Sequence, residues 1–304
     1  MMMKLTTTFS SSGEPLDPQL SSLNPQSPLR GFHMSVRGAR HLTKNQECQD
    51  YSGSACCDEY CVAVVCDGHG SERHFRSGIG AAAAVDIALE SVKEFVANEK
   101  DFLSSIENRY KPILSHLAGY ICARWVDAVV NHFNENLITD SEQFAYEKYY
   151  LCSTDSETNI TTMYGTTLLI GVITKSYAFT IQTGDGACVV LEQDGSCIIP
   201  PSMIDERLFL GYTTSLCDLN TLDNFRFYFS KDIPKSIVLS SDGVVDSYSK
   251  EDVLKFSKTL YDLFVEDHDK AFSDLADWLP KLSARGSRDD MSVAGVYRKG
   301  NAET

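Results

Sequence analysis

Between Gly165 and Ser241 the chain is a succession of short runs rich in β-branched and aromatic residues: "GTTLLIGVIT", "SYAFTIQTG", "ACVVLEQ", "SCIIP", "FRFYFS" and "KSIVLSS". Each has strand length and is bounded by turn residues, so strands are expected. They mostly follow one another in hairpin fashion, which leaves no room for the crossover helix that joins parallel strands. Helical patterns come in pairs instead. One pair covers the stretch from Glu72 and about Phe102–Asn136, the other about Lys250–Asp262 and Asp267–Leu282, and a last strand, "MSVAGVYR", closes the chain. Strand runs with paired helices predict an α+β fold in which helical hairpins cover antiparallel sheets.

"YCVAVVCD", Tyr60–Asp67, is apolar at nearly every position and suits the interior of a sheet. In the helix that follows, Phe75, Ile79, Ala82, Leu89, Val92 and Val96 fall near one face, and Ala81–Ala84 adds helix propensity. Ala271, Leu275, Leu279 and Leu282 form a similar stripe. Residues 139–162 are polar and are expected to form a loop. Residues 1–30, rich in Ser, Thr, Pro and Gln, bury too little to offset their ordering entropy and are expected to form a flexible tail. Residues 31–300 show no linker and read as one domain.

Composition narrows the roles. The formal net charge of −15 excludes nucleic-acid binding through a generic basic surface. With no run of about 18 apolar residues, no membrane span is expected, and the N-terminus lacks the apolar core of a secretory signal. The ten cysteines are irregularly spaced and form no C-x-x-C, which argues against a zinc ribbon. Cys61 and Cys66 read as small core residues, and a reducing cytoplasm is the expected location.

Asp-Gly occurs at 67–68, 185–186, 194–195 and 242–243. Between strands it is a strong hairpin signal, because both residues tolerate positive φ. "LEQDGSCII" fits that reading. "IQTGDGACVV" also has strands on both sides, but the extra Gly184 hints at a crowded backbone. "AVVCDGHGSERH" and "SIVLSSDGVVDSYSKEDV" each run from a strand into helical pattern, which a hairpin does not explain. An N-cap explains part of the second, but not Asp246, one turn beyond Asp242 on the same face. Near the C-terminus, "ARGSRDDMSVAGV" sets Asp289 and Asp290 side by side before a strand, which suits either a solvated turn or a nearby cation.

If these strand ends meet, Asp67, Asp242 and Asp289 make an oxygen-rich, glycine-walled cluster, the donor set hard cations such as Mg²⁺ or Mn²⁺ prefer. Two ions bridged by one carboxylate can generate hydroxide at neutral pH and clamp a phosphoryl group. His69, between Gly68 and Gly70, could then give a proton to the leaving oxygen.

The segments "NQECQDY", "VVCDGHGS", "YGTTLLIGVI", "TIQTGDGACVVL", "IVLSSDGVVD" and "GSRDDMSVAGV" occur in the order seen in metal-dependent protein serine/threonine phosphatases of type 2C. The chain resembles that family, in its bacterial-like branch. The resemblance implies a four-layer αββα sandwich, two antiparallel sheets packed face to face with helical hairpins outside. It implies a binuclear Mn²⁺ or Mg²⁺ centre in which Asp67 bridges both ions, the Gly68 carbonyl binds one, and Asp242 and Asp289 bind the other. Asp50 would hold metal-bound water, Asp185 and Asp246 would serve a weaker third ion, and His69 would be the general acid. The implied reaction is a single-step attack of metal-bridging hydroxide on phosphoserine or phosphothreonine. The implied substrate is a phosphoprotein made by an opposing serine/threonine kinase, and the implied state is a monomer.

The chain departs from the family pattern in four places. Gln49 stands where an acidic residue is usual, and Asp290 where Asn is usual. The flap, about Ile204–Leu219, is short. The usual upstream phosphate-gripping Arg is not in register, and among Arg37, Arg40, His41 and Lys44 the expected replacements are Lys44 or His41. Two other readings fit the residues: a pseudophosphatase acting as a binding module, and a phosphohydrolase of small phosphate esters.

Overall fold

The computed structural model describes residues 27–98, 103–151, 159–207 and 213–299. All but the last few residues of the expected tail lie outside the described residues, as do residues 208–212 of the expected flap. Ten strands form two five-stranded antiparallel sheets among the described residues. The first runs in the order β1 (Leu29–Val36), β10 (Met291–Arg298), β9 (Ser236–Ser240), β6 (Ala187–Leu191), β7 (Cys197–Ile198). The second runs β2 (Asp50–Cys56), β3 (Tyr60–Asp67), β4 (Leu168–Thr174), β5 (Ala178–Thr183), β8 (Arg226–Ser230). β1 begins at a buried Leu29, paired with Arg298.

The period-two alternation of strands decides which face each side chain serves. In β3, Cys61, Ala63 and Val65 point to the other sheet, where they meet Val190, Ile237, Leu239 and Ala294. Val62, Val64 and Cys66 point outward to two long helices, α2 (Ser77–Ala97) and α3 (Leu103–Glu135). On the far side α6 (Lys250–Glu266) and α7 (His268–Arg285) press Phe256, Leu260, Leu275 and Leu279 onto Phe32, Val238 and Val293. The result is the expected αββα order, and a strand buried on both faces has to be apolar throughout.

Four details differ from expectation. The deepest face of α2 combines small residues, Ser77, Gly80, Ala81, Ala84 and Ala88, with Val85 and the expected Val92, while Ile79, Leu89 and Val96 pack on the same core only partly buried. A flat-lying helix needs small residues where it touches the sheet and larger ones at its flanks. Residues 139–162 include helix as well as loop: α4 (Gln143–Tyr146) runs into a wider helical turn at Glu147–Leu151, and Ile160–Tyr164 forms another turn. This segment is tied down by Arg76, which is 3% exposed and grips Glu142 through Nε (2.7 Å) and Nη2 (2.9 Å). Within α3, Arg109–Glu135 is long and apolar enough to cross a membrane by composition, yet Leu114, Ile121 and Trp125 are buried against α2 and the second sheet. Lastly, Cys61 does pack in the core, but β2–β3 register sets it directly opposite Cys56, so the two sulfurs face each other across the strand pair.

Candidate active site

Strands of both sheets finish at one end of the sandwich, and the expected ligands gather there. Register places Asp50, the first residue of β2, opposite Asp67, the last of β3. On the other sheet, β9 leads into the short helix α5 (Asp242–Val245), which starts with Asp242; Asp246 follows it, its amide donating to the Asp242 carbonyl at 2.7 Å. Asp289 directly precedes Asp290 and β10. Asp185 lies between β5 and β6, which belong to different sheets, so "TGDG" is a crossover and not a hairpin. Gly184 there has φ 108°, and a Cβ on it would lie 2.4 Å from Thr167 Cβ. Asp194-Gly195, by contrast, is the β6–β7 hairpin turn.

The carboxylates share one electrostatic environment. Burial, then the charge of Asp290, holds Asp50 well above the usual carboxylate range. Burial, then Asp50 and Asp242, does the same to Asp67. Asp242, pushed up to about 6 mainly by burial, hydrogen-bonds Asp67 and feels Asp185, Asp289 and Asp246. Asp246 is raised by burial, then by Asp185 and Asp289. In the absence of cations such a cluster survives by keeping protons.

Among the described residues no three His, Cys, Asp or Glu side chains already form a cation cage. Asp67 and Asp242 are hydrogen-bonded to each other, and Asp289 is paired with Arg40. The donor set nevertheless fits a hard cation. All of it is carboxylate and carbonyl oxygen, and Asp50 Oδ2 is buried without any hydrogen-bond donor. Gly68 is required by close packing: a Cβ there would meet the Gln49 carbonyl oxygen at 2.6 Å and the Ser77 carbonyl oxygen at 2.9 Å.

His69 follows Asp67 by two residues, its amide donating to the Gly165 carbonyl at 3.0 Å. Its ring lies edge-on to His74, 4.9 Å between centroids. Burial, then the charges of His74 and Arg73, push its pKa down to about 3, so the imidazole is neutral at pH 7.

Comparison with known proteins identifies the architecture. A family profile described as protein phosphatase 2C matches residues 37–280. The chain belongs to the protein phosphatase 2C family. A bacterial serine phosphatase superposes with a TM-score of 0.53 at 12% identity, covering 90% of this chain and 99% of the other. The serine/threonine phosphatase Stp1 from Staphylococcus aureus gives 0.54 at 12% identity, over 90% and 96% of the two chains. PppA, a regulatory component of T6SS in Pseudomonas aeruginosa, gives 0.50 at 15% identity, over 90% and 98%. No curated protein matches the chain. At these identities the structural likeness shows the fold.

The departures of this phosphatase 2C chain have structural causes centred on α1 (Ala39–Lys44). Asp290 does not face water; it acts on the cluster through its charge, which adds to burial in raising Asp50. It is 3% exposed and accepts from the Gly38 amide (2.6 Å), the Gln49 amide (2.7 Å) and His41 Nδ1 (2.8 Å). His41 is therefore turned inward and engaged, not presented to a substrate. Lys44 is exposed at the C-terminal end of α1. One turn before it, Arg40 reaches Asp289 Oδ2, with its side chain 47% exposed. Arg40 is the cation at the mouth of the cluster, and sequence reasoning ranked it below its neighbours. Ser283 braces the arrangement, accepting from the Ala39 amide and donating to the Asp289 carbonyl, each at 3.0 Å. Gln49 is held through Nε2 on Ser77 Oγ, 2.9 Å.

Proposed function

We propose that this chain hydrolyses phosphoserine and phosphothreonine on proteins, opposing serine/threonine kinases in the cytoplasm, with two Mn²⁺ or Mg²⁺ ions held by the aspartate cluster. The observation that carries the reading is the gathering of Asp50, Asp67, Asp185, Asp242, Asp246 and Asp289 at one end of both sheets, with an Asp50 oxygen buried and unpartnered. Asp67, between Asp50 and Asp242, is the carboxylate two ions would share; the Gly68 carbonyl would hold one, Asp242 and Asp289 the other, and Asp185 and Asp246 a weaker third. Bound there, such ions polarise a phosphoryl oxygen and make water acidic enough to attack at neutral pH.

The chain's own residues supply the rest. Asp67 and Asp242 release the protons that hold them together, and Asp50 Oδ2 accepts a hydrogen bond from the attacking water. Asp289 releases Arg40, whose planar guanidinium can grip two phosphate oxygens, which the Lys44 ammonium could do only as a point charge. His69 is neutral before substrate arrives. A phosphate dianion beside it favours the charged imidazolium, so the ring takes up a proton from solvent as the substrate binds and gives it to the seryl or threonyl oxygen as that leaves.

The test is hydrolysis of a chromogenic phosphate ester and of a phosphothreonine peptide with Mn²⁺, with chelator, and by Asp242→Asn. Peptide hydrolysis that needs Mn²⁺ and disappears in the variant is expected. Hydrolysis in chelator, or full activity of the variant, would sink the two-ion reading. Turnover of the ester alone would reassign the chain to small phosphate esters, and Mn²⁺ binding without turnover would make it a binding module.

A further inference from the structure

A second histidine stands against the first, and the proposed reaction gives it no role. His74 ends the helical turn Glu72–His74 and is 9% exposed. Its Nδ1 faces the Thr162 carbonyl, which can only accept, so Nδ1 carries the ring's proton. Burial lowers its pKa, so the ring is neutral at pH 7 and Nε2 is bare. The rings of His69 and His74 meet edge to face, 4.9 Å between centroids and 64° between planes. Both rest on Gly165. A Cβ there would meet His74 Nδ1 at 2.7 Å, His69 Cδ2 at 2.8 Å and Cys217 Sγ at 2.9 Å. The Gly165 carbonyl accepts from the His69 amide at 3.0 Å, and the Gly165 amide donates to the Thr162 carbonyl at 3.2 Å. Next in the chain, the Thr166 hydroxyl donates to the Asp67 carbonyl at 2.9 Å. One short segment, Thr162–Thr166, thus holds the His74 ring, the His69 backbone and the backbone of Asp67.

We propose that His74 is a positioning residue for His69: its ring, pinned to Thr162, holds the His69 imidazole in the orientation from which it protonates the leaving oxygen. The inference rests on the acid role assigned to His69 above. A general acid must come within hydrogen-bond reach of the oxygen it protonates, and misplacing a reacting group by about 1 Å costs on the order of 10²-fold in rate. His69 has glycine on either side, so its neighbours in sequence lend no side chain to steady its ring. The His74 ring is the one packed against it, and that ring is itself fixed by its bond to Thr162. Beyond burial, a charge on His74 opposes an imidazolium at His69, as the charge of Arg73 does, so a neutral His74 suits the task.

The test uses the full chain with Mn²⁺ and a pair of substrates. A phosphothreonine peptide releases a basic alkoxide that needs the acid's proton, whereas p-nitrophenyl phosphate releases a stable anion that needs it far less. His74→Ala should lower the ratio of kcat for the peptide to kcat for the ester by about 10–100-fold, with KM little changed. His74→Phe, which restores a ring of similar shape, should recover most of that ratio. Equal losses on both substrates would mean a merely structural role and overturn the proposal, as would an unchanged ratio or a Phe variant no better than Ala. Should His74→Ala fail to fold, His74→Gln takes its place, keeping a donor for Thr162 without the ring. A second measurement needs no turnover. In chelator, nitrogen-edited NMR should show His74 protonated at Nδ1, and the His69 Hδ2 proton should lie close to the Gly165 Hα protons. That proximity should vanish in His74→Ala and persist in His74→Phe. Its survival in His74→Ala, or a His74 proton on Nε2, would overturn the proposal. Should no form hydrolyse either substrate, the phosphatase reading falls, and the spectra still decide whether His74 sets the His69 ring.

Discussion

Asp242→Asn should inactivate the protein and, in chelator, stabilise it. Asp242 rises from 3.8 to about 6, first because it is buried and then because Asp185, Asp289 and Asp246 repel its charge. A carboxyl with a raised folded-state pKa binds its proton more tightly in the native state than in the unfolded chain. Its effect on stability is therefore neutral below about pH 4, grows more unfavourable as pH rises to about 6, and is complete above that. The shift corresponds to up to about 3 kcal/mol at pH 7. Asn keeps the shape without the charge, so the variant should gain much of that figure, roughly 3–5 °C in unfolding temperature for a chain of this size. Urea unfolding in chelator at pH 7 and at pH 4 measures it: the gain should appear at pH 7 and vanish at pH 4. Mn²⁺ should stabilise the parent and leave the variant little changed, because the variant lacks a ligand. A gain below about 1 kcal/mol, or one equal at both pH values, would refute the claim that the cluster is held together against its own charge.

Other residues carry expectations of their own. His69→Gln should lower kcat by about 10²–10⁴-fold, and kcat/KM of the parent should show no His69 ionisation between pH 5 and 8, since burial holds that group near 3 in the free protein. Arg40→Ala should act in two directions: Mn²⁺ affinity by calorimetry rises by up to about fivefold once Asp289 loses its exposed ion pair, while KM for a phosphopeptide also rises. Asp290→Ala should cost about 3 kcal/mol in urea unfolding, because it strands the Gly38 and Gln49 amides and His41. Arg76→Met should cost about 3–5 kcal/mol and loosen residues 139–151 in hydrogen exchange, because it leaves Glu142 without its buried partner.

The layer order was legible because alternation and helical stripes are local signals. Tyr60–Asp67 is apolar on both faces, and only a strand covered on both sides requires that. The same logic misjudged α2. Apolar size marks only part of the buried face, because close approach of neighbouring elements selects for small size: the Gly80 carbonyl accepts from Trp125 Nε1 of α3 at 2.9 Å, and a Cβ on Gly80 would run into the Tyr164 carbonyl oxygen of the Ile160–Tyr164 turn. Residues 139–151 were unreadable for a different reason. Their order depends on Arg76, more than 60 positions earlier in the chain, and polar composition cannot announce a long-range partner.

At the site, Asp67 and Asp242 were legible because a strand that ends on a carboxylate and continues as helix has few structural excuses. The basic residues upstream were not, and the reason is geometric. Arg40 and His41 are neighbours on a six-residue helix, too short for periodicity to say which residue points inward. Neighbours on a helix point about 100° apart, so only one of the pair can face the core. Asp290 makes the choice: fully buried beside three donors, it draws His41 in and thereby turns Arg40 outward to Asp289. Asp290 thus serves the site by holding the backbone on either side of it through Gly38, Gln49 and His41, while its charge still adds to burial in raising Asp50, and an acidic residue in a motif says nothing about ligation until its donors have been counted.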